Sequence, residues 1–301
     1  MRGQKAYIAL QAIAYIEDNL RECLELGRVA DALGYSKFHL HRLFSETVGL
    51  PLHEYVRRRR LTKAAGELVY SGETVMDIAL ASGYGSRQAF TDAFRAMYKA
   101  APARFREAGK FYPLQLNAFA GALGEEPVKG GFVQGDITYA APSDAEGWMG
   151  LARLKVDGYP YFDEAEYTEN LYRYMEEKRA LILRDGGRVV GILGFSGTDG
   201  GCVRFSGDFR GRGSIDFLAV HPQYRALGIE ELFLGKLTEE IFPGGELSVT
   251  TYRAGDRADT GCRGMYLRLG FQERELLTEY GYPTQRFVFS PGDRQEENDD
   301  A

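Results

Sequence analysis

The stretch "VADALGYS" (Val29–Ser36) returns 49 residues later as "IALASGYG" (Ile78–Gly85), and this repeat constrains the chain more than any other feature. Val29/Ile78, Ala30/Ala79, Ala32/Ala81, Gly34/Gly83 and Tyr35/Tyr84 correspond in register. After one inserted residue, Leu40/Phe90 and Phe44/Phe94 continue the match. Each copy reads as a short helix, a glycine turn and a second helix, with Ser36 suited to an N-cap. Ala30 and Ala79 are small where two helices must cross closely. The arrangement is a helix-turn-helix, whose second helix can enter the major groove of DNA.

Between the copies, "PLHEYVRRRRLTKAAGELV" reads as one long helix with Pro51 in its first turn. Such a helix holds two recognition helices on one side of a duplex, about one turn or ~34 Å apart. Arg57 to Arg60 cannot share one face at ~100° per residue. Some are expected to reach phosphates, Arg58 among them, and others to pair with acidic neighbours or pack along their stems. A solvated charge run is the competing reading for any one of them.

Charge divides the chain in the same way. Residues 1–110 hold 17 basic and 12 acidic side chains, net +5, whereas the remainder holds 20 and 31, net −11. Only the first part is therefore expected to meet a polyanion. At 301 residues the chain has room for about two domains, and 44% hydrophobic with 13% aromatic residues excludes wholesale disorder. Cys23, Cys202 and Cys262 have no paired spacing, which argues against a metal site or disulfide framework and fits a reducing cytoplasm. In "AYIALQAIAYI", Ile8, Ala12, Tyr15, Ile16 and Leu20 recur at helical spacing, so an amphipathic helix is expected there, not a signal peptide. No segment approaches the ~18 apolar residues of a membrane span.

A glycine-rich stretch from 109 to 135 reads as a linker, with a short helix over 116–123. Beyond it, "DITYAAPSDAEGW" gives a short strand and a helix start capped by Ser143 and Glu146, and a second helix follows in "DEAEYTENLYRYMEEK". Two apolar runs joined by Gly186–Gly187 read as a hairpin. "IDFLAV", "ELSVTTY" and "TQRFVFS" are further strands, with helices over "LGIEELFLGKLTEEIF" and "GMYLRLGF". The mixture indicates an α/β domain. The connection "TDGGCVRFSGDFRGRG" (Thr198–Gly213) reads as a long hairpin or a substrate-recognition loop. "RALGIE" (Arg225–Glu230) opens a helix whose free amides can cradle a phosphate, yet Glu230 places a carboxylate where the anion would sit.

Residues 7–106, with "GYSKFHLHRLF" and the closing "PARFR", resemble the AraC/XylS family DNA-binding domain, especially its small stand-alone stress and multidrug-resistance activators. The resemblance implies an all-α domain of two helix-turn-helix units. It turns Phe38, His41 and Arg42 toward the major groove in the first unit and Arg87, Gln88 and Ala89 in the second. Arg suits the O6 and N7 of guanine, Gln the N6 and N7 of adenine, and Phe or an Ala methyl the thymine methyl. Asp92 stands where those activators carry a basic residue, so the second unit is expected to bind weakly or to read a cytosine amino group. Promoter DNA is the implied partner and RNA polymerase an open second one. A monomer able to span two grooves is implied, with oligomeric state left open.

Residues 136–290, through "ITYAAPSDA", "FLAVHPQYRALGI" and "MYLRLGF", resemble the GNAT N-acyltransferase fold, an α/β domain with a mixed, mostly antiparallel sheet. The resemblance implies acetyl-CoA as co-substrate and no metal. Its pyrophosphate would rest on the amides of Arg225, Ala226, Leu227, Gly228 and Ile229, with Glu230 in place of the usual Gly or Ala. Leu218, Ala219 and Val220 would present backbone groups to the pantetheine arm, and Tyr266 matches the tyrosine that protonates the departing thiolate. The acceptor would be a small amine or a peptide amine, and the base stays open among Asp216, His221 and Glu273. The expected domains are 1–110, a linker 111–135, 136–291 and an acidic disordered tail 292–301. Three functions stay in contention: a regulator with acetyltransferase activity, a regulator with a non-catalytic ligand or acyl-CoA sensor, and an acetyltransferase whose first domain binds a protein. The net charge of +5, with Arg42, Arg87 and Gln88, speaks against the third.

Overall fold

The computed structural model describes residues 2–115, 131–154, 164–197, 211–225, 227–279 and 281–291. The short helix expected over 116–123, most of the Thr198–Gly213 connection, and the tail 292–301 lie outside them. The chain divides into two units, residues 1–128 with 152–163, and residues 129–151 with 164–301.

The first unit is helical: α1 (Arg2–Asp18), α2 (Leu26–Leu33), α3 (Lys37–Val48), α4 (Leu52–Tyr70), α5 (Val75–Ala81), α6 (Arg87–Tyr98) and α7 (Pro102–Ala108). The repeat builds the pairs α2/α3 and α5/α6. Gly34 and Gly83 turn the chain at φ +74° and +82°, the left-handed region that favours glycine. Ser36 and Ser86 then cap the second helix of each pair, accepting the amides of His39 and Ala89 at 3.3 and 3.1 Å. Val29, Ala30, Leu40 and Phe44 are buried in one pair, and Ile78, Ala79, Phe90 and Phe94 in the other.

Helix α4 joins the pairs, and its arginine tract works inside the fold. Arg57 and Arg58 share Glu54, at 2.7 and 3.2 Å. Arg59 grips both oxygens of Glu17 on α1 at 2.7 Å and donates to the Gln115 carbonyl at 2.7 Å. Arg60 donates through Nε to the Leu20 carbonyl at 2.8 Å, and a Cβ on Gly83 would come within 2.8 Å of its Nη1. Contact of Arg58 with phosphate is therefore corrected: the residue is fully buried, where a guanidinium persists only with an acidic partner.

The second unit is built on one seven-stranded sheet in the order β1-β2-β3-β4-β5-β7-β6. Its strands are β1 (Thr138–Tyr139), β2 (Ala180–Asp185), β3 (Arg188–Gly197), β4 (Gly213–Val220), β5 (Leu247–Tyr252), β6 (Gln272–Glu279) and β7 (Tyr282–Phe289). Every neighbouring pair is antiparallel except β4 with β5. Gly186 and Gly187, at φ +55° and +85°, close β2 onto β3 as a two-residue hairpin. The helices are α8 (Ala145–Leu154), α9 (Glu164–Glu176), α10 (Ile229–Gly235, running on as a π-helical turn Lys236–Ile241) and α11 (Cys262–Arg268). At the start of α8, Asp144 takes the part expected of Ser143 and Glu146: its carboxylate accepts the Ala141 amide at 2.8 Å and binds Arg184. Glycines on opposite faces of β3 admit the helices. A Cβ on Gly194 would meet Tyr174 of α9 at 3.5 Å, and one on Gly191 would meet Phe233 of α10 at 2.7 Å.

Replacing Arg59 by Ala strands the largely buried Glu17 carboxylate, and is expected to cost about 3 kcal/mol. Urea unfolding followed by helical circular dichroism should show an earlier transition. The surface change Arg42→Ala should move it by less than about 0.5 kcal/mol.

Candidate functional site

On the helical unit, α3 and α6 each present an uncovered amino-terminal face. Phe38 is 91% exposed, whereas Phe44, Phe90 and Phe94 are fully buried. His41 and Arg42 are exposed beside Phe38, and Arg42 is held only by a 4.0 Å pair with Glu46. On α6, Arg87, Gln88 and Ala89 are all exposed. Gln88 donates through Nε2 to Oδ1 of Asp92, one turn further on, at 3.0 Å. The structure thus leaves six of the seven residues singled out for DNA on the surface and removes Arg58.

In the second unit, the sheet opens at its parallel junction. Strands β4 and β5 pair only from Gly213↔Leu247 to Ile215↔Val249, although β4 runs to Val220 and stays paired with β3 to Gly191↔Val220. Beyond Ile215 the two strands part, and a fork results. The His221 amide donates to the Val190 carbonyl at 2.8 Å, which fixes the phase of the β3–β4 ladder. Alternate residues Phe217 and Ala219 therefore turn their backbone groups to β3, whereas those of Leu218 and Val220 point into the fork. This corrects the expectation for Ala219, whose backbone is already engaged by β3.

After β4 the chain makes a tight helical turn, Pro222–Tyr224, passes Arg225 and Leu227, and enters α10 through Gly228 at φ +72°. Ala226 lies outside the described residues. The turn is fastened to the β2–β3 hairpin: Tyr224 donates to Asp185 at 2.8 Å, and Arg188 reaches His221 Nε2 at 2.9 Å and Gln223 Oε1 at 3.1 Å. Glu230 stands half-buried in the first turn of α10. Tyr266 on α11 is buried, its ring 5.4 Å from Phe271 in an edge contact. Burial raises its phenol far above the usual tyrosine range, and the Cys262 and Glu230 charges push it the same way. The hydroxyl therefore stays protonated, as a proton donor must.

The three candidate bases separate. His221 is buried, and Arg188, which can only donate, occupies the Nε2 lone pair. Glu273 on β6 is paired with Arg263 and accepts from Gln285 at 3.3 Å. Asp216 is exposed. The β3–β4 register slips by one residue between Gly194 and Phe195, which makes Asp216 the extra residue of a β-bulge just past the last β4–β5 pair. Its carboxylate accepts from Tyr174 at 2.7 Å, from Ser214 at 2.6 Å and from Ser196. Arg179 lies over the Tyr174 ring at 4.0 Å and donates to Ser196 at 3.0 Å. Sequence reasoning missed Tyr174 and Arg179, which close the end of α9 onto β2, and Ser196 on β3, which the sheet brings to them. Among the described residues no group of three or more His, Cys, Asp or Glu side chains could hold a metal ion, and no helix is long and apolar enough to cross a membrane.

Comparison with known proteins divides the chain along the same lines. Residues 29–108 match a helix-turn-helix domain family, and residues 148–271 match the acetyltransferase (GNAT) family. The HTH-type transcriptional activator AarP of Providencia stuartii is 41% identical over 99 residues, which cover 33% of this chain and 73% of that protein. The transcriptional regulator Rob of Salmonella typhimurium is 35% identical over 121 residues, 38% of this chain and 42% of that one. Among solved structures, a GNAT-family acetyltransferase from Bacillus cereus is similar over 51% of this chain and 95% of that chain, at 15% identity and a TM-score of 0.38. The chain belongs to the AraC-type DNA-binding regulators and carries a GNAT-family domain behind its helix-turn-helix domain.

Arg42→Ala is expected to cost about 1–3 kcal/mol at a preferred operator and to relax preference at one base. Arg58→Met should leave the slope of log affinity against log salt unchanged, whereas loss of a phosphate contact would lower it by about 1. Gel-shift titrations at several salt concentrations check both.

Proposed function

We propose that the GNAT-family unit binds acetyl-CoA in the β4/β5 fork and transfers its acetyl group to an amine, in a chain whose helix-turn-helix domain, which we take as residues 1–110, sits on promoter DNA. The observation that carries this reading is the fork. Its β4 wall offers the backbone N–H and C=O groups of Leu218 and Val220 with no strand opposite them among the described residues, the kind of edge an amide-containing pantetheine arm can pair with. Gly228, held left-handed, turns the chain so that the following amides of Ile229 and Glu230 open toward an anion. The bound thioester would supply the acyl carbon. Asp216 at the base of the fork takes the proton of the attacking amine, and Tyr266 returns one to the departing thiolate.

The acceptor we assign is a small amine or a peptide amine. The DNA reading places the work in the cytoplasm, and the activator named among the relatives supports RNA polymerase as a second partner. A second reading, in which the unit senses acyl-CoA without turnover, is favoured by Glu230. Half-buried in the first turn of α10, this carboxylate would oppose a pyrophosphate there, and its charge disfavours release of the Tyr266 phenolic proton.

Calorimetric titration of the full chain with acetyl-CoA tests the proposal. Glu230→Gly is expected to raise affinity about fivefold, the ~1 kcal/mol of a half-solvated charge pair, with less gain at high salt. Tyr266→Phe should leave acetyl-CoA affinity unchanged and slow acetyl transfer roughly 100-fold or more. Binding with no Tyr266-dependent transfer would establish the sensor, and no binding by either wild type or Glu230→Gly would remove the acyl-CoA reading.

A further inference from the structure

We propose that Asp92 sets the base preference of the second recognition helix by orienting Gln88, without touching a base itself. Asp92 is an acidic residue in the positively charged third of the chain, on the exposed side of a helix expected to lie against a polyanion. Near a phosphate it would only repel. Its one described contact points elsewhere: Oδ1 accepts the Gln88 Nε2–H at 3.0 Å across a single turn of α6.

That bond fixes which way the Gln88 amide faces. A carboxylate only accepts, so the nitrogen end of the amide must lie toward Asp92. A lysine or arginine at position 92 would draw the oxygen instead. With one N–H held by Asp92, Gln88 keeps Oε1 and its second N–H side by side. This acceptor–donor edge complements N6 and N7 of adenine in the major groove. An unrestrained glutamine rotates freely about its side-chain bonds and can present either end; ordering it on contact costs affinity and blurs the preference. Gln88 begins the exposed face of α6, two residues after the Ser86 cap, where a recognition helix meets base edges. The assignment to Asp92 rests on reading α6 as the base-contacting helix.

The test uses the full-length chain. An operator is selected from a randomised duplex library, and affinities for its single-base variants are measured for wild type, Gln88→Ala, Asp92→Ala, Asp92→Asn and the double alanine variant. Gln88→Ala and Asp92→Ala should each reduce discrimination at the same adenine by about tenfold. The double variant should lose no more than Gln88→Ala alone, since the two residues act as one unit. Asp92→Asn should keep the preference, because its Oδ1 still accepts the Gln88 N–H, while strengthening binding to all sequences alike through loss of a negative charge. The inference is overturned if Asp92→Ala keeps full preference where Gln88→Ala relaxes it, or changes preference at a different base, which would make Asp92 a direct reader of cytosine. If Gln88→Ala relaxes no position, both the inference and the reading of α6 fall.

Discussion

The helical unit depends on the pairing of the α4 arginines with groups inside the fold. Four adjacent guanidinium groups on one helix would repel one another if left together, and each has an accepting partner. Glu54 serves Arg57 and Arg58, Glu17 serves Arg59, and carbonyls at the end of α1 serve Arg60. The Arg59 and Arg60 contacts tie α4 to α1 and to the turn after it, and Arg60 also lies against the Gly83 turn of the second repeat. The net charge of +5 overstates what this unit can offer to phosphates, because its densest run of positive charge is already used.

The counterpart in the sheet is a single change of strand direction. Strands β4 and β5 are the one parallel pair and share only three residue pairs, Gly213↔Leu247 to Ile215↔Val249. Because β3 holds β4 straight through Val220, it is β4's other edge that comes free. The bulge at Asp216 falls where the strands part, and a bulge re-aims a side chain. Two adjacent irregularities, the parting of β4 from β5 and the bulge in the β3–β4 ladder, therefore yield a backbone edge turned into the fork and a carboxylate steadied by three hydroxyl groups.

Much of this was legible in the sequence, and the misses have physical causes. The repeat predicted both helix pairs because glycine turns and serine caps are local, and the structure keeps them in place. The Gly186–Gly187 hairpin and the strands "IDFLAV" and "ELSVTTY" carried equally local signals. Strand β6, "QERELLTE", escaped because it is an edge strand with almost every side chain in water, and it has neither alternation nor an apolar run. The fate of Arg58 could not be read at all. A guanidinium that contacts phosphate and one buried against Glu54 present the same letter, and the acidic residue four positions earlier fits both. The partners of Asp216 stayed hidden because Tyr174 and Ser196 reach it only through tertiary pairing.

Both units share a feature that runs against the charge of their expected ligands. Each places a carboxylate, Asp92 or Glu230, on the helix turn where a polyanion or a pyrophosphate would approach. Asp92 is held by the Gln88 amide, and Glu230 lies half-buried in the first turn of α10. A positive charge at either place would give tighter but less selective attraction, because Coulomb attraction acts on any phosphate at hand. A carboxylate lowers that background and leaves affinity to groups with direction, namely the Gln88 amide edge on α6 and the backbone edge of β4 in the fork. Hydrogen-bonding groups fixed in orientation discriminate where point charges do not. With promoter DNA and acetyl-CoA as the proposed ligands, each unit would give up general attraction to phosphate and depend for its affinity on the shape and hydrogen-bonding pattern of what it binds.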